Sequence, residues 1–357
     1  MFPVMQSSSR LNAYAFVLLL SVMFVASIPE LIRFSAKETE AASLYLSGDL
    51  SRKFESEYDS QFVLRDMSIE MWANLQYLVF GEGSSGVILG RDDWLFTSEE
   101  YLVSPDFVDL QSSSLENVQS IARNLADKGK KLVMIPVPLK ADIYSELTTF
   151  RPGYPALHTY DYLVTSLQEA SIPVVDTRSA LLSSKEEGLT FLKRDTHWTP
   201  LGARTVAAEV ARTYPELRGN QQYASRKTGQ KEYPGDLRNF LQFSSDFSPE
   251  LHAPEPIDLY ETTRSDDQFS EDALFGDDAD YHVLVGSSYT DIDDWNFVGF
   301  LKESLGHDIV PYALKAEGPW KAMETYLSQL DTNEDDASVV LWEFPVRVML
   351  SRKKVPA

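Results

Sequence analysis

The sequence predicts an α/β fold: a parallel sheet flanked by helices, preceded by one apolar segment of membrane length. Three observations predict it. Short apolar runs of strand type recur at 131–137, 173–176, 281–285 and 338–342. Helical apolar spacing separates several of them, as strand–helix–strand crossovers require. One run, Leu11 to Ile28, is long enough to span a bilayer core.

The chain has 357 residues, 43% of them hydrophobic and 24% charged, enough for a full core. It has no cysteine, which excludes thiol nucleophiles, disulfides and thiolate metal sites and leaves nucleophilic chemistry to serine, threonine, lysine or a carboxylate. The net charge of −22 repels phosphate backbones, so nucleic acid is not an expected partner.

Residues 1–30 read as an N-terminal membrane anchor, with Arg10 on the N-terminal side of the run. A cleaved signal peptide is the rival, although the small-x-small box before Pro29 is poorly formed. A buried core helix is the third reading. Residues 31–85 form a helical or linker segment, where Met71, Leu75, Leu78 and Val79 have helical spacing and predict a docked helix. The main domain is expected over 86–350. Gly90 to Phe96 reads as a turn feeding a short buried strand. Ser114 can cap a helix that Gly129 closes, the run at 131–137 follows, and a helix near 159–170 leads to the run at 173–176. Residues 246–280 hold twelve acidic residues and one arginine, and read as an acidic surface excursion.

Two motifs carry chemistry. Gly286-Ser287-Ser288-Tyr289 follows an apolar strand and precedes a helical pattern that Gly306 stops. A serine at such a turn presents its hydroxyl at the sheet edge, where helix-start N–H groups can bind an oxyanion; Gly286 lets the backbone turn sharply. The plain alternative is an N-cap serine. The second motif is Asp195-Thr196-His197-Trp198-Thr199-Pro200, in which Thr199 caps a helix with Pro200 at its first position. In extended chain, Asp195 and His197 share a side, so the carboxylate can orient the imidazole toward a serine. Among the five histidines, His197 stands two residues after an aspartate and directly before Trp198. A surface ion pair or a metal site are alternatives, the latter lacking a third ligand at recognisable spacing. Together the motifs have the layout of esterases and acyltransferases, with Asp-His preceding the serine.

With Gly90–Phe96, Pro136–Tyr144, Asp195–Thr199 and Gly286–Tyr289 in this order, the chain resembles the alginate O-acetylation proteins of the AlgJ/AlgX family over roughly residues 45–350. Its anchor makes it AlgJ-like. The resemblance implies an SGNH-hydrolase-like periplasmic domain on an inner-membrane anchor. It implies acetyl transfer to an exported polysaccharide, with acetyl supplied by a membrane-bound O-acyltransferase partner; no cofactor or metal is expected from the residues. It places the triad at Ser288, His197 and Asp195. Trp198, Lys140, Tyr289 and Arg347 are the expected substrate contacts, although Trp198 also fits a core or lid role. An acetyl-polysaccharide esterase and a non-catalytic anchored scaffold are the alternatives. Alginate is the acceptor the family implies, and cellulose or another neutral glucan is the alternative given the acidic charge.

Overall fold

The computed structural model describes residues 4–61, 65–264, 281–314, 318–330 and 336–350. The chain divides into two compact units, residues 1–80 with 242–244, and 81–241 with 245–357.

The first unit is helical: α1 (Val4–Lys37), α2 (Ala41–Ser47), α3 (Leu50–Gln61) and α4 (Arg65–Phe80). Within α1, Arg10–Lys37 is long and apolar enough to cross a membrane. The helical spacing expected at 71–79 is present in α4, but Met71, Leu75, Leu78 and Val79 are exposed and the buried residue is Ala73. Spacing alone marks a face without saying what covers it.

The second unit begins with an antiparallel hairpin, β1 (Val87–Leu89) and β2 (Leu95–Thr97), which buries Trp94 and Phe96. Then come α5 (Phe107–Asp127), β3 (Lys131–Val137), α6 (Lys140–Ile143), α7 (Tyr154–Glu169), α8 (Thr177–Ser183) and α9 (Pro200–Thr213). After them come β4 (Tyr223–Tyr233), α10 (Pro249–His252), β5 (Glu255–Arg264), β6 (Tyr281–Gly286), α11 (Ser288–Asp291) and α12 (Phe297–Leu305). The last elements are β7 (Asp308–Ala313), α13 (Gly318–Leu330) and β8 (Val339–Pro345).

The central sheet is parallel, in the order β3-β8-β6-β7. Successive strand residues alternate between two cores, as the period of two requires. Val133, Ile135, Leu284 and Leu341 join Val206, Val210 and Phe300 on the α9/α12 face. Met134, Val283, Val285 and Trp342 join Val118, Leu163 and Met323 on the face of α5, α7 and α13. Both sheet faces are covered, which is why its strands read as continuous apolar runs.

The structure departs from the sequence expectation in four places. Helix α5 starts at Phe107, not after a Ser114 cap; Ser112 and Ser113 donate back to Val108 O and Leu110 O, which lets a serine run sit inside a helix. The run at 173–176 pairs with β3 only through the bridge Met134–Val174, since Pro173 has no N–H to give a ladder. The helix expected after Ser288 is broken, with Asn296 in the left-handed region (φ 51) between α11 and α12. Finally, part of the acidic excursion is a strand: β5 pairs antiparallel with β4 from Tyr223–Arg264 to Tyr233–Glu255. Residues 265–280 of that excursion lie outside the described residues.

Candidate active site

Strand β6 ends at Gly286, and Ser287 caps α11 as its hydroxyl accepts from the Tyr289 N–H. Ser288 is therefore the first helical residue, where the backbone N–H has no partner within the helix. The turn is held from beneath by Glu343 of the neighbouring β8. Glu343 Oε2 accepts from Ser287 N at 2.6 Å and from Thr290 Oγ1 at 3.1 Å, and both carboxylate oxygens take the Ser287 hydroxyl at 2.9 Å. Burial pushes this carboxyl up, only partly offset by the hydrogen bonds. Gly286 is required for space, not for a left-handed turn: a Cβ there would stand 2.2 Å from Thr290 Oγ1 and 2.8 Å from Glu343 Oε2.

Asp195 and His197 do not lie in the extended chain that the spacing suggested. Leu192 N donates to His197 O and Thr199 N to Thr190 O, so residues 190–199 fold back on themselves and the Asp-His step sits in the bend. There Asp195 Oδ1 accepts from both the His197 backbone N–H (2.8 Å) and its Nδ1 (2.6 Å), the local bonding that makes aspartate a turn former. His197 Nε2 stands 2.7 Å from Ser288 Oγ. The structure thus brings all three expected residues into one hydrogen-bonded line. Asp195 is fully buried, which acts to raise its carboxyl, but the bond and charge of His197 with the backbone N–H groups hold it below its ordinary value. With the carboxylate ionised, the proton belongs on Nδ1, and Nε2 is left to accept from the serine. Ser288 is half-buried, so the line has one open end.

Three of the four expected substrate contacts are corrected by burial. Lys140 is 1% exposed, and its ammonium donates to Leu95 O (2.6 Å), Lys193 O (2.9 Å) and Asp195 O (2.9 Å). Burial pulls it down to about 8, against the raising charges of Glu255, Glu100 and Asp195. It is a brace for the Asp195 bend. Trp198 is 0% exposed and packs at 4.7 Å on Phe297 and 4.9 Å on Tyr289, a core residue whose indole N–H has no partner among the described residues. Tyr289 is also buried; its hydroxyl donates to Thr196 O at 2.8 Å and its ring lies 4.7 Å from the His197 ring. Arg347 is partly exposed, and donates to the Tyr289 hydroxyl at 3.0 Å and to Glu99 at 3.2 Å.

Sequence reasoning did not find Glu343, Glu255 or Asp236. Glu255 accepts from the Lys193 and Arg194 N–H groups at 3.0 and 2.9 Å, fixing one limb of the bend. Asp236 donates its N–H to Asp195 Oδ2 at 2.7 Å and accepts from Thr196 N at 2.8 Å. No local spacing signals them, because each reaches the triad from a distant element. Asp236 is also the third ligand type missing from the sequence, and the donor atoms of Asp195, His197 and Asp236 lie within 4.8 Å of one another. Yet 2.6 Å between Asp195 Oδ1 and His197 Nδ1 is hydrogen-bond spacing; two ligands on one tetrahedral zinc stand about 3.3 Å apart. The geometry fits a shared proton better than a shared cation.

Comparison with known proteins agrees with this architecture. Residues 87–346 match the family described as SGNH hydrolase-like domain, acetyltransferase AlgX. The probable alginate O-acetylase AlgJ of Pseudomonas syringae pv. tomato is 33% identical over 92% of this chain and 86% of its own length. That of Pseudomonas aeruginosa is 33% identical over 96% and 91%. Among solved structures, the O-acetyltransferase domain of Pseudomonas putida AlgJ superposes with a TM-score of 0.68 at 31% identity, covering 76% of this chain and 94% of that one. Pseudomonas aeruginosa AlgX, at 23% identity and a TM-score of 0.57 over 79% of this chain and 70% of that one, shares the fold. The chain belongs to the AlgJ/AlgX family of SGNH hydrolase-like acetyltransferases.

Proposed function

We propose that this O-acetyltransferase works through Ser288, His197 and Asp195, and that its acceptor is alginate. The observation that carries the reading is the continuous line from Asp195 Oδ1 through the imidazole to Ser288 Oγ, at 2.6 and 2.7 Å.

In this reading the anchor α1 holds the catalytic domain on the periplasmic face of the inner membrane. A membrane-bound O-acyltransferase supplies the acetyl group. His197 Nε2 takes the Ser288 proton as Oγ attacks the acetyl carbonyl, and Asp195 fixes the tautomer and stabilises the imidazolium. The Ser288 N–H at the start of α11 donates to the oxyanion. The imidazolium then returns its proton to the departing donor. The neutral imidazole left behind takes the proton of an acceptor hydroxyl as that oxygen attacks the acetyl carbonyl, and passes it to Ser288 Oγ as the acyl–serine bond breaks. Glu343 holds the elbow and Lys140 the bend, so both halves of the line are fixed before substrate arrives. An esterase would use the same atoms with water as acceptor; the names of the relatives favour transfer.

Ser288→Ala tests the triad. Removing a triad serine costs about 10⁶-fold in turnover where it has been measured in serine hydrolases, so acetate release from a chromogenic ester is expected to vanish. Undiminished turnover would sink the reading. Supplying alginate oligosaccharides with the acetyl ester and finding mass gains of one acetyl supports transfer; free acetate alone supports hydrolysis.

A further inference from the structure

Helix α4 carries an apolar face that is exposed among the described residues of its own unit. At 100° per residue, Met67, Met71, Trp72, Leu75, Leu78 and Val79 fall within an arc of about 140°, and each is between 47% and 67% exposed. The other side is occupied: Ala73 is buried, Asn74 Oδ1 accepts from Ser244 N at 2.8 Å, and Tyr77 stacks on Phe243 at 4.1 Å. No charged side chain falls inside that arc: Asp66 and Glu70 lie away from it, and Arg65, at its edge, pairs with Asp59 and Asp66. So large an exposed apolar face marks a surface that meets another apolar phase.

The neighbouring helices indicate which phase. Helix α3 returns antiparallel along α1. Lys53 pairs with Glu38 at 2.6 Å, the Phe54 ring meets Phe34 at 5.1 Å, and the Tyr58 hydroxyl meets Ser27 Oγ at 2.5 Å. Ser27 lies at the end of the apolar run Leu11–Ile28, just before the Glu30–Arg33 ion pair. That run rises roughly 27 Å, close to a bilayer core, so its end marks the membrane boundary. The C-terminal end of α3 therefore reaches that boundary, and α4 begins four residues after it.

We propose that the open face of α4 lies in the headgroup–acyl boundary of the bilayer that α1 spans, so that the anchor is one span plus one interfacial helix. The inference depends on α1 as anchor and is independent of the acceptor. Trp72 suits that depth, where amphipathic rings collect. The charged residues of α4 are Arg65, Asp66 and Glu70, with no basic excess, so the attraction is to apolar depth and not to anionic headgroups.

The absence of cysteine makes a site-specific test direct. The full chain, reconstituted alone in phosphatidylcholine vesicles, is spin-labelled at Met71→Cys, Leu75→Cys or Leu78→Cys, with Glu70→Cys as the solvent-side reference and Leu20→Cys inside α1. Accessibility to oxygen and to a water-soluble nickel chelate is read by paramagnetic resonance. Labels at 71, 75 and 78 are expected to favour oxygen several-fold over the label at 70. If they match position 70 while position 20 reports the bilayer, the face belongs to a protein partner and the proposal fails. If position 20 also reports water, it fails with the anchor.

Discussion

At the scale of single residues, the site depends on buried carboxylates shifted in opposite directions. Asp195 lies below its ordinary value because His197 and backbone donors outweigh burial, whereas burial wins at Glu343 and Glu100 despite their hydrogen bonds. Glu343→Gln separates these effects. Glutamine keeps the shape, but its one oxygen accepts two hydrogen bonds where Glu343 takes three donors, the Ser287 N–H, the Ser287 hydroxyl and the Thr290 hydroxyl. A loss of about tenfold in turnover, about 1.4 kcal/mol, is expected with KM little changed. The sign of the pH effect follows from the raised value: the folded state holds the Glu343 proton more tightly than the unfolded state. Its contribution is full at low pH and is lost as pH climbs from the ordinary carboxyl value, about 4.3, through the raised one. The melting-temperature advantage of the native protein over the glutamine variant should therefore shrink as pH rises toward neutrality. An advantage that grows with pH would show that Glu343 is ionised at no cost.

At the scale of elements, two glycines make a comparison that sequence could not. Gly129 closes α5 with φ +75 and nothing within 4 Å of a built Cβ, so only backbone strain opposes a side chain. Gly129→Ala is expected to cost about 1–2 kcal/mol with activity unchanged. Gly286 has the opposite problem, close contacts at an ordinary φ. Gly286→Ala should push the elbow off Glu343, and a shift near 1 Å at a reacting atom can cost about 100-fold in turnover. Thermal melts beside ester turnover distinguish the two. Local signals were legible because they are local: the strand at 131–137, the Thr199 cap accepting from Gly202 N, and the strand-to-elbow step at 286–288 all match. Strand β7 was not legible because Pro311 interrupts it, tolerated since β7 is a sheet edge. Strand β5 was hidden by its acidic residues. The roles of Glu343 and Asp236 depend on which strand or loop arrives beside the triad, and no spacing along the chain encodes that.

At the scale of the whole molecule, the proposed acceptor and the charge of the enzyme conflict. The chain carries 54 acidic against 32 basic residues, and a polyuronate is itself a dense anion, so approach is opposed by a long-range field. That field reaches about 10 Å at 0.1 M salt and about 30 Å at 0.01 M. Once a segment occupies the site, short-range contacts dominate and the field matters little to the chemical step. The repulsion should therefore appear in KM and not in kcat. Raising ionic strength from about 0.01 to about 0.1 M is expected to lower KM for alginate oligosaccharides and leave kcat unchanged. Neutral glucan oligosaccharides and a neutral acetate ester should show no such trend. A KM that rises with salt for alginate would mean that local cations at the site overcome the global charge. Efficient acetylation of neutral glucan alone would reassign the acceptor while leaving Ser288, His197 and Asp195 in their roles.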